Sequence, residues 1–246
     1  MRRTRRRPEA LPPALSIDLP QGAVEVRLRV HPRARRLTLR LVSGTGRVSA
    51  TLPPGVDLAE ARRFLLRQSD WLAERVAAQP ARTPLADGAV VPLRGVPHRI
   101  AHRPAVRGAV WVEAAANGPV IAVAGALAHL PRRVADFLGR EARRDLAAAV
   151  ARHAAGLGVA SPNALRVGDP RSRWGSCSAR RTLSFSWRIV LAPPDVLDYV
   201  AAHEVAHLVE MNHGPRFWAL VARLCPGHEA ARRWLKANGA ALHAVV

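Results

Sequence analysis

Two histidines, His203 and His207, stand four residues apart in the stretch from Pro193 to Leu208, and Glu204 directly follows the first of them. On a helix the two imidazoles project from one face, a turn apart, which is the separation needed to grip a single tetrahedral cation. Glu204 lies beside that face, so its carboxylate can reach a water at the cation without being a ligand itself. The chemistry such a set points to is metal-assisted hydrolysis. One zinc ion per chain would lower the pKa of a water from 15.7 towards about 7, with the carboxylate as the proton acceptor. Satisfied core histidines would be the plainer explanation. However, Tyr199, Val200, Ala202, Val205, Ala206 and Leu208 make the helix largely buried, and two histidines with a glutamate carry a heavy desolvation cost there unless a metal or hydrogen bonds compensate.

A third ligand leaves one tetrahedral position open for water. His213 is the candidate. On a continuous helix it would lie about 9 Å beyond His207 on another face, so the helix must stop first. Asn212 and Gly214-Pro215 are the expected stop. His228 and Glu229, at an expected helix start after Pro226-Gly227, are the alternative third ligands. The spacing of His203 and His213 is also that of metzincins, but Glu210 stands where their helix-ending glycine would lie and no methionine follows Met211.

Four motifs occur in order: Arg171-Ser172-Arg173-Trp174-Gly175-Ser176-Cys177-Ser178, then Ser184 to Pro194, then Leu197 to Leu208, then Asn212-His213-Gly214-Pro215-Arg216-Phe217-Trp218. Together they resemble the YgjP-like metallopeptidases, relatives of the SprT and WLM zinc proteases. A weaker likeness runs upstream through Arg35-Arg36-Leu37 and Pro53-Pro54-Gly55. The resemblance implies a zincin-like catalytic domain, His203, His207 and His213 as zinc ligands, Glu204 as catalytic acid and base, and a peptide or protein substrate.

Residues Arg173, Trp174, Gly175, Ser176, Ser184 and Ser186 precede the metal helix and are the candidate substrate-binding set. Alternation of Leu183, Phe185 and Trp187 predicts a strand with a polar serine face, and an open edge there would let a peptide add as a further strand. Trp174 and Trp187 can equally be core aromatics. Tyr199, one turn before His203, either faces the reaction centre or packs the helix. Glu210 and Asp198 are available to orient the imidazoles. Cys177 lacks a C-x-x-C partner, and His98 and His102 read as surface residues.

Two rival functions use the same motif. One is a nucleotide phosphoanhydride hydrolase, with Arg171, Arg173, Arg180 and Arg181 clamping phosphates. The other is a nucleic-acid-associated module with a structural zinc. The net charge of +20 invites a nucleic acid partner, yet Lys236 is the only lysine, so 37 of the 38 basic residues are arginine. With abundant alanine, that is the bias of a GC-rich genome. The arginines spread over all segments between acidic residues, only the first seven positions form a dense run, and a solvated basic surface is the favoured reading.

The expected fold is α+β, a mainly β N-terminal part with one helix followed by a helical zincin-like domain with a short sheet. Residues 1–20 read as a basic flexible tail, 21–128 as a β-rich domain and 129–246 as the catalytic domain. Alternating apolar residues from Ala23 to Leu52 predict strands, with a turn at Gly44-Thr45-Gly46. Asp57 and Glu60 open a helix of about five turns reaching Val76. Short apolar runs between Ala86 and Ala124 predict further hairpins, and Leu130 to Ala155 predicts a long amphipathic helix ended by Gly156-Leu157-Gly158. No internal repeat is visible. No stretch approaches the roughly 18 apolar residues of a membrane span, no signal core follows the basic start, and two cysteines make a poor disulfide scaffold. A cytoplasmic protein without membrane partners is the expectation.

Overall fold

The computed structural model describes residues 11–42, 46–170 and 172–246. The basic run Met1–Arg7, the tip of the Gly44-Thr45 turn and Arg171 lie outside them. The chain forms two compact units, 1–80 and 81–246.

In the first unit, strands β1 (Ala14–Leu19), β2 (Gly22–Val30), β3 (Thr38–Val42) and β4 (Arg47–Leu52) form a sheet in the order β1-β2-β4-β3. The hairpin β1-β2 is antiparallel, β2-β4 parallel and β3-β4 antiparallel. Strand β1 falls within the expected tail: Leu15, Ile17 and Leu19 alternate and are buried, a signal that the neighbouring prolines mask. The apolar face packs on α1 (Leu58–Arg67) and α2 (Ser69–Ala77) through Ala61, Leu65 and Leu72. Asp57 caps α1, its Oδ1 accepting the Glu60 N–H at 2.7 Å. The single predicted helix is two, because Gln68 leaves helical geometry at φ −103°, ψ 6°.

The second unit opens with β5 (Val90–Leu93), β6 (Val96–Arg103), β7 (Val110–Glu113) and β8 (Val120–Ala124), in the order β5-β6-β8-β7. Its pairing repeats that of the first sheet: antiparallel, parallel, antiparallel. A helix follows each sheet, so the chain carries one topology twice although the sequence shows no repeat. These four strands belong with the helices behind them and not with an N-terminal β domain: Val91, Ile100 and Ile121 share one core with Val134 and Leu138. His98 is buried, its Nδ1 facing the Val96 carbonyl at 2.7 Å, and His102 reaches the Gly125 carbonyl. Neither is a free surface group: His98 is buried and His102 half-buried, each held by a backbone carbonyl.

Helix α3 (Leu130–Leu157) ends at Gly158, which takes the left-handed cap at φ 67°. Strands β9 (Ala164–Gly168), β10 (Gly175–Cys177) and β11 (Thr182–Ser186) form a small sheet in the order β10-β11-β9. A 3₁₀ turn, Trp187–Leu191, leads into α4 (Pro194–Ala206), α5 (Pro215–Leu224) and α6 (His228–His243). After α6 the chain pairs with the start of its own unit. Thr83 N–H donates to the Ala244 carbonyl at 3.0 Å, and Leu85 N–H to that of Val246 at 2.8 Å. No helix among the described residues is long and apolar enough to cross a membrane.

Candidate metal centre

Pro194 occupies the first turn of α4, where a missing N–H costs no hydrogen bond, and Asp195 suits the positive helix end. The helix is apolar nearly all round, with Val196, Leu197, Val200, Ala201, Ala202, Val205 and Ala206 buried. It is therefore a core element, and it holds His203 and His207 in fixed places on one face. The helix ends at Ala206 with His207 as its cap, five positions before Asn212. Leu208, Val209 and Glu210 turn back through hydrogen bonds to the carbonyls of Val205 and Ala206. Gly214-Pro215 then starts α5 instead of stopping α4.

That reversal brings His213 home. One ligand nitrogen from each of His203, His207 and His213 lies within 4.8 Å of the others, and Nε2 of His203 is 3.1 Å from Nε2 of His213. Zinc–nitrogen bonds of about 2.0–2.1 Å at tetrahedral angles need ligand nitrogens about 3.3 Å apart, and the His203–His213 pair stands close to that spacing. Nδ1 of His207 donates to the Glu210 carbonyl at 3.0 Å, which leaves its Nε2 lone pair free. Glu210 thus orients the imidazole through its main chain, while its side chain accepts the Asn212 N–H. Asp198 plays no such part: it pairs with His153 at 2.8 Å and with Arg152. His228 and Glu229 stand outside the cluster, His228 on the Cys225 carbonyl and Glu229 beside Arg233.

Burial pushes the His203 imidazole down to about 4, assisted by the neighbouring His207, His213 and Arg232. Burial also lowers His207, against the pull of the Glu210 carbonyl. Both are neutral at pH 7, as metal ligands must be.

Sequence reasoning misses the residue beneath all three rings. Phe217, fully buried on α5, has its ring centre 4.9, 4.5 and 4.6 Å from those of His203, His207 and His213. His213 lies before α5 and not on it, so no helical spacing in the sequence marks this contact.

Glu204 is 5% exposed, and its Oε2 has no hydrogen-bond partner among the described residues. Burial raises its carboxyl to about 7, opposed by the charge of Arg173. A β-carbon at Gly175 would lie 2.5 Å from Glu204 Oε1 and 2.6 Å from its Cγ, so with any other residue on β10 the Glu204 side chain would have to shift. Trp174 stacks on His243 with ring centres 4.1 Å apart and fits over Gly239, where a β-carbon would come within 3.2 Å of the indole.

Glu204 and His203 form one side of a cleft of about 210 Å³, with Trp174, Tyr199, Val200 and Leu235 as its other walls. Tyr199 both packs α4 and lines this cleft, its ring edge-on to His203. Of the expected substrate set, Arg173, Trp174, Gly175 and Ser176 lie on the loop and strand beside Glu204. Ser184 faces Ser176 across the ladder, on a strand paired on both sides. Ser186 is fully buried and touches no solvent-accessible surface. The open edge is that of β10, not of the serine strand, because β9 already occupies the far side of β11. Cys177 and Cys225 are both free thiols.

The family described as "YgjP-like, metallopeptidase domain" matches residues 35–238. The chain belongs to this family. Among solved structures, the YgjP-like chain is similar to the metallopeptidase zymogen of Pyrococcus abyssi abylysin, with 19% identity over 37% of this chain and 93% of that one, at a TM-score of 0.35. No curated protein matches. A hydrolase of the metallopeptidase class follows from membership of the YgjP-like family.

Proposed function

We propose that this YgjP-like protein is a zinc peptidase in which His203, His207 and His213 hold one zinc ion and Glu204 moves the proton. The observation that carries this reading is the convergence of three imidazole nitrogens within 4.8 Å beside a buried, unpartnered carboxylate oxygen. Bound there, zinc would supply a Lewis acid that polarises the scissile carbonyl and acidifies water. Glu204 accepts a proton from the attacking water and delivers it to the leaving amine. A carboxyl that titrates near neutrality is suited to both transfers.

Strand β10 holds the substrate. Trp174 and Ser178 use their main-chain groups towards β11, the Trp174 carbonyl accepting Ser186 N–H at 2.9 Å and Ser178 N–H donating to Thr182 at 3.0 Å. By the two-residue alternation of an antiparallel ladder, Gly175 and Cys177 direct their N–H and C=O groups to the open edge. An extended peptide adds there, its carbonyl beside Glu204 and one side chain in the apolar cleft.

The nucleotide reading fares worse. A cleft of about 210 Å³ with apolar walls is smaller than the roughly 300–1,000 Å³ of a small-molecule site. Arg181, one of the four expected phosphate clamps, is committed to the carbonyls of Ala160 and Leu208. A structural zinc would need a closed set of four ligands, and the described residues offer three.

Purified protein should carry about one zinc per chain by elemental analysis and cleave an unfolded protein or peptide library with an apolar residue beside the scissile bond. His203→Ala and His207→Ala should each lose the metal. Full metal content in both variants, or phosphate release from nucleotides without peptide cleavage, would overturn the assignment.

A further inference from the structure

Residues 26–56 contain seven arginines, Arg27, Arg29, Arg33, Arg35, Arg36, Arg40 and Arg47, and no aspartate or glutamate. In the linear sequence they are strung out from position 27 to position 47. Folding gathers them, because β2, β3 and β4 all come from this stretch.

The register places Arg27 opposite Ser49 and Ser49 opposite Arg40, in one row across three strands. The next outward row is Arg29, Thr51 and Thr38. With strands about 4.8 Å apart and about 3.3 Å of rise per residue, Arg27 and Arg40 stand about 10 Å apart across the sheet, and Arg29 lies about 7 Å along from Arg27. Val26, Val48, Ala50 and Leu52 point the other way, into the core with α1 and α2. The arginine face is therefore free of the unit's helices, and Arg27, Arg29 and Arg40 are all exposed. Arg33, Arg35 and Arg36, also exposed, sit on the connection from β2 to β3.

Among the described residues, two carboxylates share this outward face, Glu25 on β2 and Asp18 on β1, both towards the β1 side of the sheet. Arg27 approaches Glu25 at 4.0 Å with both side chains largely in solvent. Among the described residues, Arg29 and Arg40 have no carboxylate within ion-pair distance. Like charges held about 7–10 Å apart lie within one screening length and favour a multivalent anion over scattered counterions.

We propose that this sheet face docks the phosphate backbone of duplex nucleic acid without reading its sequence. Guanidinium forks match phosphate oxygens bidentately, and the hydroxyls of Ser49, Thr51 and Thr38 add donors between them. The face lacks the stacking platform that single strands require. The only aromatics of residues 1–80 are Phe64 and Trp71, on α1 and α2. The face belongs to the first unit and the histidine cluster to the second, so docking and cleavage are separable functions.

A labelled random duplex of about 25 base pairs, titrated with the full chain in an anisotropy experiment at several salt concentrations, tests this. A chain of net charge +20 will attract DNA generally, so the comparison is between two triple variants of equal charge change. One is Arg27→Glu, Arg29→Glu, Arg40→Glu; the other is Arg62→Glu, Arg63→Glu, Arg67→Glu, three exposed arginines on α1. The sheet variant should lose at least about 10-fold in affinity at about 150 mM salt and reduce the log–log salt slope by about 3, at roughly 0.9 per phosphate contact. The helix variant should lose less than about 3-fold, and both should keep zinc content and peptide turnover. A sheet variant that melts early is replaced by the Arg→Gln triple, which should show the same ranking. Equal losses in the two variants, no loss in either, or tighter binding of single strands or poly-glutamate to the sheet face would each overturn the proposal.

Discussion

Gly175 and Glu204 face each other so closely that the chemistry of one side chain depends on the absence of another. Gly175→Ala should retain zinc and fold while turnover falls roughly 10²-fold, because the added carbon displaces the carboxylate by about an ångström. Glu204→Gln keeps the volume and removes the base, and should cost of order 10²–10⁴ in rate at unchanged zinc content and melting temperature. Near-normal turnover in a zinc-loaded Gln variant would sink the mechanism. Phe217→Ala tests the floor of the site: a void under three imidazoles should cost about 3–5 kcal/mol in denaturant unfolding and weaken zinc binding about 10–100-fold. The spacing of His203, Glu204 and His207 on one helix is readable because helical periodicity is a local rule. Phe217 and the Gly175 contact are not, because both depend on which element passes behind α4, and no spacing within one segment records that.

Among the elements, α4 is positioned by clasps of charge. Arg94, at the tip of the β5-β6 turn, reaches Asp145 and Glu141 on α3 at 2.7 Å each, while the main chain of Arg94 and Gly95 bonds to Val190 and Leu191 just before α4. Asp198 on α4 accepts from His153 and Arg152 on α3. Burial raises the Asp198 carboxyl, but the His153 hydrogen bond with the charges of His153 and Arg152 outweighs it and holds the group below its ordinary 3.8. The stabilisation is therefore present above about pH 4 and is lost as pH falls through the lowered native value. Asp198→Asn should melt earlier than wild type at pH 7, and the gap should close in melting scans taken below about pH 4. A gap that persists there would show that Asp198 acts by packing alone. Strand and helix types were readable from periodicity. The break at Gln68, the early end of α4 and the edge position of β10 were not, because tertiary neighbours set them.

At the scale of the molecule, the same strand order appears twice, once before a pair of short helices and once before the long α3. Sequence patterning set the boundary after the second sheet, since strands and helices look like separate populations. The contacts put it near residue 80, because the second sheet shares its core with α4. The parallel pairing of Thr83 and Leu85 with residues 244–246 has a consequence for the order of assembly. During synthesis the first unit is complete once its two helices have emerged, and it can fold while the rest is still being made. The second unit lacks this pairing until residues 244–246 have left the ribosome, and His243, which stacks on Trp174 beside Glu204, arrives at the same moment. Stalled chains ending near residue 235 should therefore show a protease-resistant first unit and no peptide cleavage, and a nascent peptidase cannot act on its own unfinished neighbours.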